Sequence, residues 1–228
     1  MLRALIFDFD GTILDTESAD YACWQAIYRD HDCDLPLAEW QQCIGTAYTS
    51  FNPYDYLEAQ SGRSIDRTII AAHHKSLFAP MVEQQSIMPG IDALLTEATE
   101  AGLLLAVASS SQRLWVTGHL ERLGLLEKFR TICTAGDVQR IKPAPDLYLL
   151  ALERLGARAE EALAIEDSLN GMNAALTAGL TVVVVPNPVT ASMRFDDSHA
   201  QLVSLKDVGV AQLIETFNSK HTRTSSAL

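Results

Sequence analysis

The sequence predicts an α/β fold, a doubly wound parallel sheet interrupted after its first strand by an inserted α-helical cap domain. Three observations carry this expectation. Short aliphatic runs recur along the chain and alternate with segments of helical spacing. Polar and acidic residues gather at the ends of those runs, where sheets of this kind bind their ligands. Residues 16–87 break the alternation and contain mostly helical patterns, with no convincing buried strand.

The aliphatic runs are ALIFDF (4–9), LLLAVASS (103–110), TICTAG (131–136), ALAIED (162–167) and TVVVVP (181–186). The first is nearly continuous in apolar residues rather than alternating, which marks a strand buried on both faces. Between the runs lie helices such as GIDALLTEATEAG, where Ile91, Leu94, Leu95 and Ala98 form one stripe that stops at Gly102. Strands that alternate with helices imply right-handed crossovers and a parallel sheet. The interrupting segment carries helical patterns at Glu17–Tyr28, Pro53–Gln60 and Ile65–Phe78, and it ends near Met88-Pro89-Gly90, where proline and glycine punctuate the chain. This divides the chain into a core of residues 1–15 and 88–218 and a helical cap of residues 16–87. From Ser219 the tail SKHTRTSSAL lacks apolar periodicity and is expected to be disordered.

Composition narrows the function classes. A chain of 228 residues with 48% hydrophobic content buries a sizeable core without disulfides or a structural metal. Its 17 basic and 29 acidic residues give a formal charge of −12, which disfavours nucleic acid and anionic membranes as partners. Cys23, Cys33, Cys43 and Cys133 show no CxxC pair and no zinc-like spacing, so they read as reduced thiols of a cytoplasmic protein. The apolar runs LLLAVA and TVVVV are too short to span a bilayer, and Arg3 with the following aspartates interrupts any apolar leader. The expectation is a soluble protein, a monomer, acting on a small molecule.

Four clusters carry chemistry: Asp8-Phe9-Asp10-Gly11-Thr12, Ser109-Ser110-Ser111, Lys142 in RIKPAPDLY, and Glu166-Asp167-Ser168 in AIEDSLNG. A strand has period two, so Asp8 and Asp10 are expected on one side of it, roughly 7 Å apart. Two carboxylates at the mouth of a buried strand are costly unless a positive charge sits with them, and a hard cation such as Mg²⁺ meets that need through oxygen ligands. Taken alone, the aspartates fit a solvated turn, the serines a helix cap and the lysine a solvated loop. Together, and in this order, they point to phosphate chemistry.

The order, spacing and wording of DFDGT, SSS, KPAPD and EDSLNG resemble the haloacid dehalogenase-like superfamily, in the branch of sugar-phosphate phosphatases and β-phosphoglucomutases; the resemblance covers residues 3–217. It implies a Rossmann-like core with a cap, and a Mg²⁺-dependent phosphatase that works through an aspartyl-phosphate. Under the resemblance Asp8 is the nucleophile, while Asp10 protonates the leaving oxygen and later activates water. Splitting a slow hydrolysis into two transfers is the physical gain. Lys142 pairs with Asp8 and with a phosphoryl oxygen. Ser109 donates its hydroxyl to the phosphoryl group, with Ser110, Gly11 and Thr12 as further phosphate-binding candidates. The implied metal set is a carboxylate oxygen of Asp8, the carbonyl of Asp10 and the carboxylate of Asp167, with Glu166 holding a metal-bound water.

Two departures bear on the activity. β-Phosphoglucomutases carry a histidine near the start of the cap and an arginine in a later cap loop; here Asp20 and Tyr48, or a neighbour, stand at those places. Both departures weigh against a mutase and towards a hydrolase, and Asp20 and Tyr48 become candidate substrate contacts. Acidic Asp20 hints at a hydroxyl-bearing substrate such as a sugar or polyol phosphate. Lys75, beside His73 and His74, is the lysine that a phosphonate-cleaving cap would need, but it reads as a solvated helix residue with surface histidines beside it. A β-phosphoglucomutase-like phosphotransferase and a catalytically silent binding module are the alternatives; the second would be expected to have lost the nucleophile, the lysine or the metal acid, and none is lost.

Overall fold

The structure is a computed structural model that describes residues 1–45 and 51–225, with side chains as far as Ser219. Strands β1 (Ala4–Phe7), β2 (Leu104–Ala108), β3 (Thr131–Cys133), β4 (Ala162–Glu166), β5 (Thr181–Val184) and β6 (Ala200–Gln201) pair in parallel, in the order β3-β2-β1-β4-β5-β6. The expected doubly wound sheet is therefore present. β6 was not foreseen, because a two-residue strand has no periodicity to read. β1 pairs with β2 on one side and β4 on the other, with Phe7 opposite both Val107 and Ile165. This register brings the carboxyl ends of the three strands to one rim, where the strand order changes direction and ligands bind.

Alternation along the strands loads both faces. Leu5, Phe7, Leu105, Val107, Leu163, Ile165 and Val183 pack against α5 (Ile91–Glu100), α6 (Arg113–Arg122) and α9 (Val210–Ser225). Ala4, Ile6, Ala106, Ala108, Ala164, Val182 and Val184 face α7 (Asp146–Leu155) and α8 (Leu169–Thr177). The α5 stripe foreseen from the sequence, Ile91, Leu94, Leu95 and Ala98, is fully buried. Burying each large aliphatic side chain contributes about 1.5–3 kcal/mol, which outweighs the weak intrinsic preference of a ten-residue helix. α9 continues to Ser225, so the segment from Ser219 enters a helix rather than starting as irregular chain. Its docked turn at Leu213 and Phe217 nucleates the helix, and extension from a formed turn is cheap.

After β1 the chain enters α1 (Thr16–Asp30), α2 (Leu37–Trp40), α3 (Pro53–Ser61) and α4 (Arg67–Glu83). Asp15, Asn52 and Asp66 cap α1, α3 and α4 by accepting hydrogen bonds from their first-turn amides. This helical region has its own core of Trp24, Ile27, Tyr28, Trp40, Leu57 and Ile70, which Val189 of the sheet-bearing part joins. Three further bonds hold residues 41–45 against the rim. Gln41 Nε2 donates to the Val189 carbonyl at 2.6 Å, Asn170 Nδ2 to the Ile44 carbonyl at 2.7 Å, and Ser110 Oγ to the Gly45 carbonyl at 3.2 Å. The region thus lies closed over the carboxyl ends of the strands. Among the described residues, no helix is long and apolar enough to cross a membrane, and all four cysteines are free thiols.

Candidate active site

β1 ends at Phe7, and the chain turns at Gly11 (φ 85°), where the Gly11 amide donates to the Leu14 carbonyl at 2.7 Å. Asp8 and Asp10 therefore lie beyond the strand, and the period-two argument for their shared side does not apply. Both nevertheless line one cavity of about 450 Å³ beneath the helical region, together with Lys142. Their carboxylates engage different partners.

Asp8 accepts from Lys142 Nζ, which also donates to Glu166 Oε1 at 2.6 Å. The Lys142 side chain is 1% exposed and that of Glu166 0%, so both carboxylates and the ammonium have left water. Tyr148 Oη donates to the same Glu166 oxygen. Carboxylate oxygens of Asp8, Glu166 and Asp167 all lie within 4.8 Å of one another. Asp167 in turn accepts from Asn187 Nδ2 at 2.7 Å, and Asn187 Oδ1 accepts the amides of Val189 and Thr190, which fixes the side chain.

Three buried carboxylates thus face one ammonium. Burial, the largest cause, pushes Asp8 up to about 8; Lys142 opposes the shift, and Glu166 and Asp10 add to it. Burial likewise holds Asp167 well above the ordinary carboxylate range, with Asp8 and Glu166 adding to it. Burial would lower Lys142, but Asp8 and Glu166 outweigh it and keep the ammonium charged. The cluster lacks positive charge for its carboxylates, and its oxygens are hard donors. It fits a divalent cation of the Mg²⁺ type.

Asp10 stands apart from this cluster. Its Oδ1 accepts from Thr16 Oγ1 at 2.8 Å and Trp115 Nε1 at 2.9 Å, and its Oδ2 from Ser111 Oγ at 2.6 Å and Ser109 Oγ at 3.3 Å. Four donors from three elements fix this carboxylate at the cavity wall. None of the three serines caps α6, whose cap residue Gln112 makes no side-chain cap bond. Ser109 is fully buried and its hydroxyl points to Asp10.

The remaining expected residues are placed as follows. Gly11 and Thr12 do not line this cavity but a neighbouring one of about 640 Å³ with Met88, Pro89 and Asn187. A Cβ on Gly11 would fall 2.3 Å from Asp167 Oδ2, so this glycine permits the close approach of the chain to the acid cluster. Asp20 lines the Asp8 cavity and lies 2.5 Å from His74 Nε2. A carboxylate only accepts, so His74 donates. His74 is thus no surface group: its ring packs 5.2 Å from Trp24 and 5.4 Å from Phe78, centroid to centroid. Lys75 is exposed, as expected. Tyr48 lies outside the described residues.

Reasoning from sequence missed Tyr148, Asn187, Thr16, Trp115, Glu17 and His74. A signal existed for Asn187, since it follows TVVVVP as the other site residues follow their strands. Tyr148 ends the RIKPAPDLY segment that holds Lys142. The others pair only through the fold.

Comparison with known proteins agrees with this geometry. A family model described as "Haloacid dehalogenase-like hydrolase" matches residues 5–185. The chain is 43% identical over 221 residues to "Putative phosphatase YhcW" of Bacillus subtilis (strain 168), covering 97% of this chain and 100% of the relative. It is 28% identical over 182 residues to "Phosphorylated carbohydrates phosphatase" of Thermotoga maritima, covering 78% and 82% of the two chains. CbbY from Rhodobacter sphaeroides in complex with phosphate superposes with a TM-score of 0.76 at 31% identity, covering 94% of this chain and 100% of that one. A CbbY variant in complex with xylulose-1,5-bisphosphate gives 0.75 at 30% identity, covering 93% and 99%. The chain belongs to the haloacid dehalogenase-like hydrolases, in their CbbY/β-phosphoglucomutase-like branch with a helical cap.

Proposed function

We propose that this chain is a Mg²⁺-dependent phosphatase that hydrolyses a small phosphorylated metabolite, a sugar or polyol monophosphate, through an aspartyl-phosphate on Asp8. The observation that carries the reading is the buried Lys142 ammonium bridging Asp8 and Glu166, beside Asp167, at a cavity that Asp10 also lines.

The division of labour follows from the partners of each group. An Asp8 oxygen attacks phosphorus; its bond to phosphorus forms as the ester oxygen–phosphorus bond breaks. Lys142 is held charged beside Asp8 and offsets negative charge as the phosphoryl group transfers. Glu166 and Tyr148 position Lys142 rather than touch the substrate. Asp10, clamped by Thr16, Ser109, Ser111 and Trp115, gives its proton to the leaving oxygen and afterwards takes one from the water that attacks the phosphoenzyme. Asp8, Asp167 and the Asp10 carbonyl would hold Mg²⁺, with Glu166 behind them, and the bound ion would supply positive charge to the phosphoryl oxygens. The cap, residues 16–87 in this reading, shields the site from water, while residues 1–15 and 88–218 supply the chemistry.

The relatives supply independent support: CbbY binds phosphate and a sugar bisphosphate, and the Thermotoga relative is named for phosphorylated carbohydrates. The test is phosphate release from p-nitrophenyl phosphate and acetyl phosphate. Release that needs Mg²⁺ and stops with chelator is expected. No turnover by folded protein that binds Mg²⁺ would favour a binding module instead.

A further inference from the structure

Around the proposed reaction centre, the cavity wall that would face the substrate's alcohol portion is built from Thr16, Glu17, Asp20, Trp40, Phe78 and Trp115. Glu17 and Asp20 come from the first turns of α1 and sit above Asp8 and Asp10. His74 on α4 fixes Asp20 by its 2.5 Å hydrogen bond, and the His74 ring is itself wedged between Trp24 and Phe78. Lys142 is the one basic side chain among the described residues of the cavity wall, and it is already shared between Asp8 and Glu166. The undescribed stretch 46–50 is TAYTS and adds no lysine or arginine; indeed the whole sequence from Asp30 to Gly62 contains none.

We propose that Glu17 and the Asp20–His74 pair form a specificity wall that selects phosphate monoesters whose alcohol portion carries hydroxyl or amino donors, and rejects sugar bisphosphates. The proposal rests on the phosphatase reading and deepens it. Carboxylates accept hydrogen bonds from hydroxyl and ammonium groups, and the flanking Trp40, Phe78 and Trp115 offer apolar faces to a sugar ring or polyol chain. A second phosphate would meet the acidic groups Glu17 and Asp20, and Lys142, the one basic side chain among the described residues of the wall, is already shared between Asp8 and Glu166, so anion desolvation goes uncompensated. On this proposal the chain would differ in substrate choice from CbbY, which is seen in complex with xylulose-1,5-bisphosphate.

The test compares kcat/KM for matched pairs, glucose 1-phosphate against glucose 1,6-bisphosphate and xylulose 1-phosphate against xylulose 1,5-bisphosphate, with Mg²⁺ in excess and p-nitrophenyl phosphate as reference. The monophosphate should lead by about tenfold or more, and raising salt should narrow the gap as repulsion is screened. Asp20→Asn and Glu17→Gln should each shrink the ratio between the paired substrates, an effect that loss of folded protein alone would not produce because it scales both substrates equally. Inhibition by the non-hydrolysed partner of each pair gives the same comparison on the wild-type chain without any variant. Turnover of p-nitrophenyl phosphate with equal or better use of the bisphosphates would overturn the wall while leaving the phosphatase reading intact. No turnover of any ester would overturn both.

Discussion

Replacing Lys142 with methionine removes one charge while keeping most of the side-chain volume, so it isolates the electrostatic role of the ammonium. In the native chain the ammonium donates to Asp8 and to Glu166, and the three side chains are 1%, 9% and 0% exposed. Without it, Asp8, Glu166 and Asp167 remain as three carboxylates with oxygens within 4.8 Å of one another. Breaking a buried pair by removing one partner costs about 3–5 kcal/mol, because the other charge stays buried and unpaired. The cost should appear in denaturant unfolding in the presence of chelator at about pH 9, and shrink at about pH 5, where the buried acids take up protons instead of ionising. The denaturant slope should not change. A loss below about 1 kcal/mol at the higher pH, or an equal loss at both, would refute the view that Lys142 compensates buried charge.

Further outcomes follow from the same geometry. Gly11→Ala places a methyl 2.3 Å from Asp167 Oδ2 on a backbone at φ 85°, so it should destabilise the fold by about 1–3 kcal/mol and weaken Mg²⁺ binding measured by calorimetry; unchanged affinity would count against the role given to this turn. Asp10→Asn removes the proposed proton donor and should lower kcat/KM, which reports the first transfer, by about 10²–10⁴ for an alkyl phosphate and by less for p-nitrophenyl phosphate, whose leaving group needs no proton; equal losses in kcat/KM would point to another acid. Asp8 is raised from 3.8 to about 8, so between those values the folded chain binds a proton that the unfolded chain has lost, and metal-free stability should fall as pH rises through that window. Mg²⁺ competes with that proton, so the Tm gain on adding Mg²⁺ should be larger at about pH 8 than at about pH 6; a gain that grows towards acid would contradict the assignment.

What the sequence made legible shares one physical property: it lies in consecutive residues at strand ends. DFDGT, KPAPD and the acids after ALAI each announce themselves locally, and the parallel register of β1 with β2 and β4 brings them to one rim. What stayed hidden depends on contacts between distant residues. Asp20 and His74 are 54 positions apart, and nothing local marks their pairing. Trp115 belongs to no motif, yet its indole N–H is one of the four donors to Asp10. The strand period does not by itself place Asp8 and Asp10, because β1 ends at Phe7 and Gly11 turns the chain, yet both carboxylates line one cavity. Ser109 is expected at a phosphoryl oxygen, and its hydroxyl also reaches Asp10 at 3.3 Å, a contact between residues 99 positions apart that a linear motif does not announce.

The central claim, that Asp8 forms a covalent phosphoenzyme, is tested most directly by acid-quenching the chain during turnover of acetyl phosphate with Mg²⁺ and mapping the phosphorylated peptide by mass spectrometry. The account predicts phosphate on Asp8, within the peptide that contains LIFDFDGT, and none in Asp8→Asn. Phosphate on another residue, or steady turnover with no phosphoenzyme at any quench time, would contradict it.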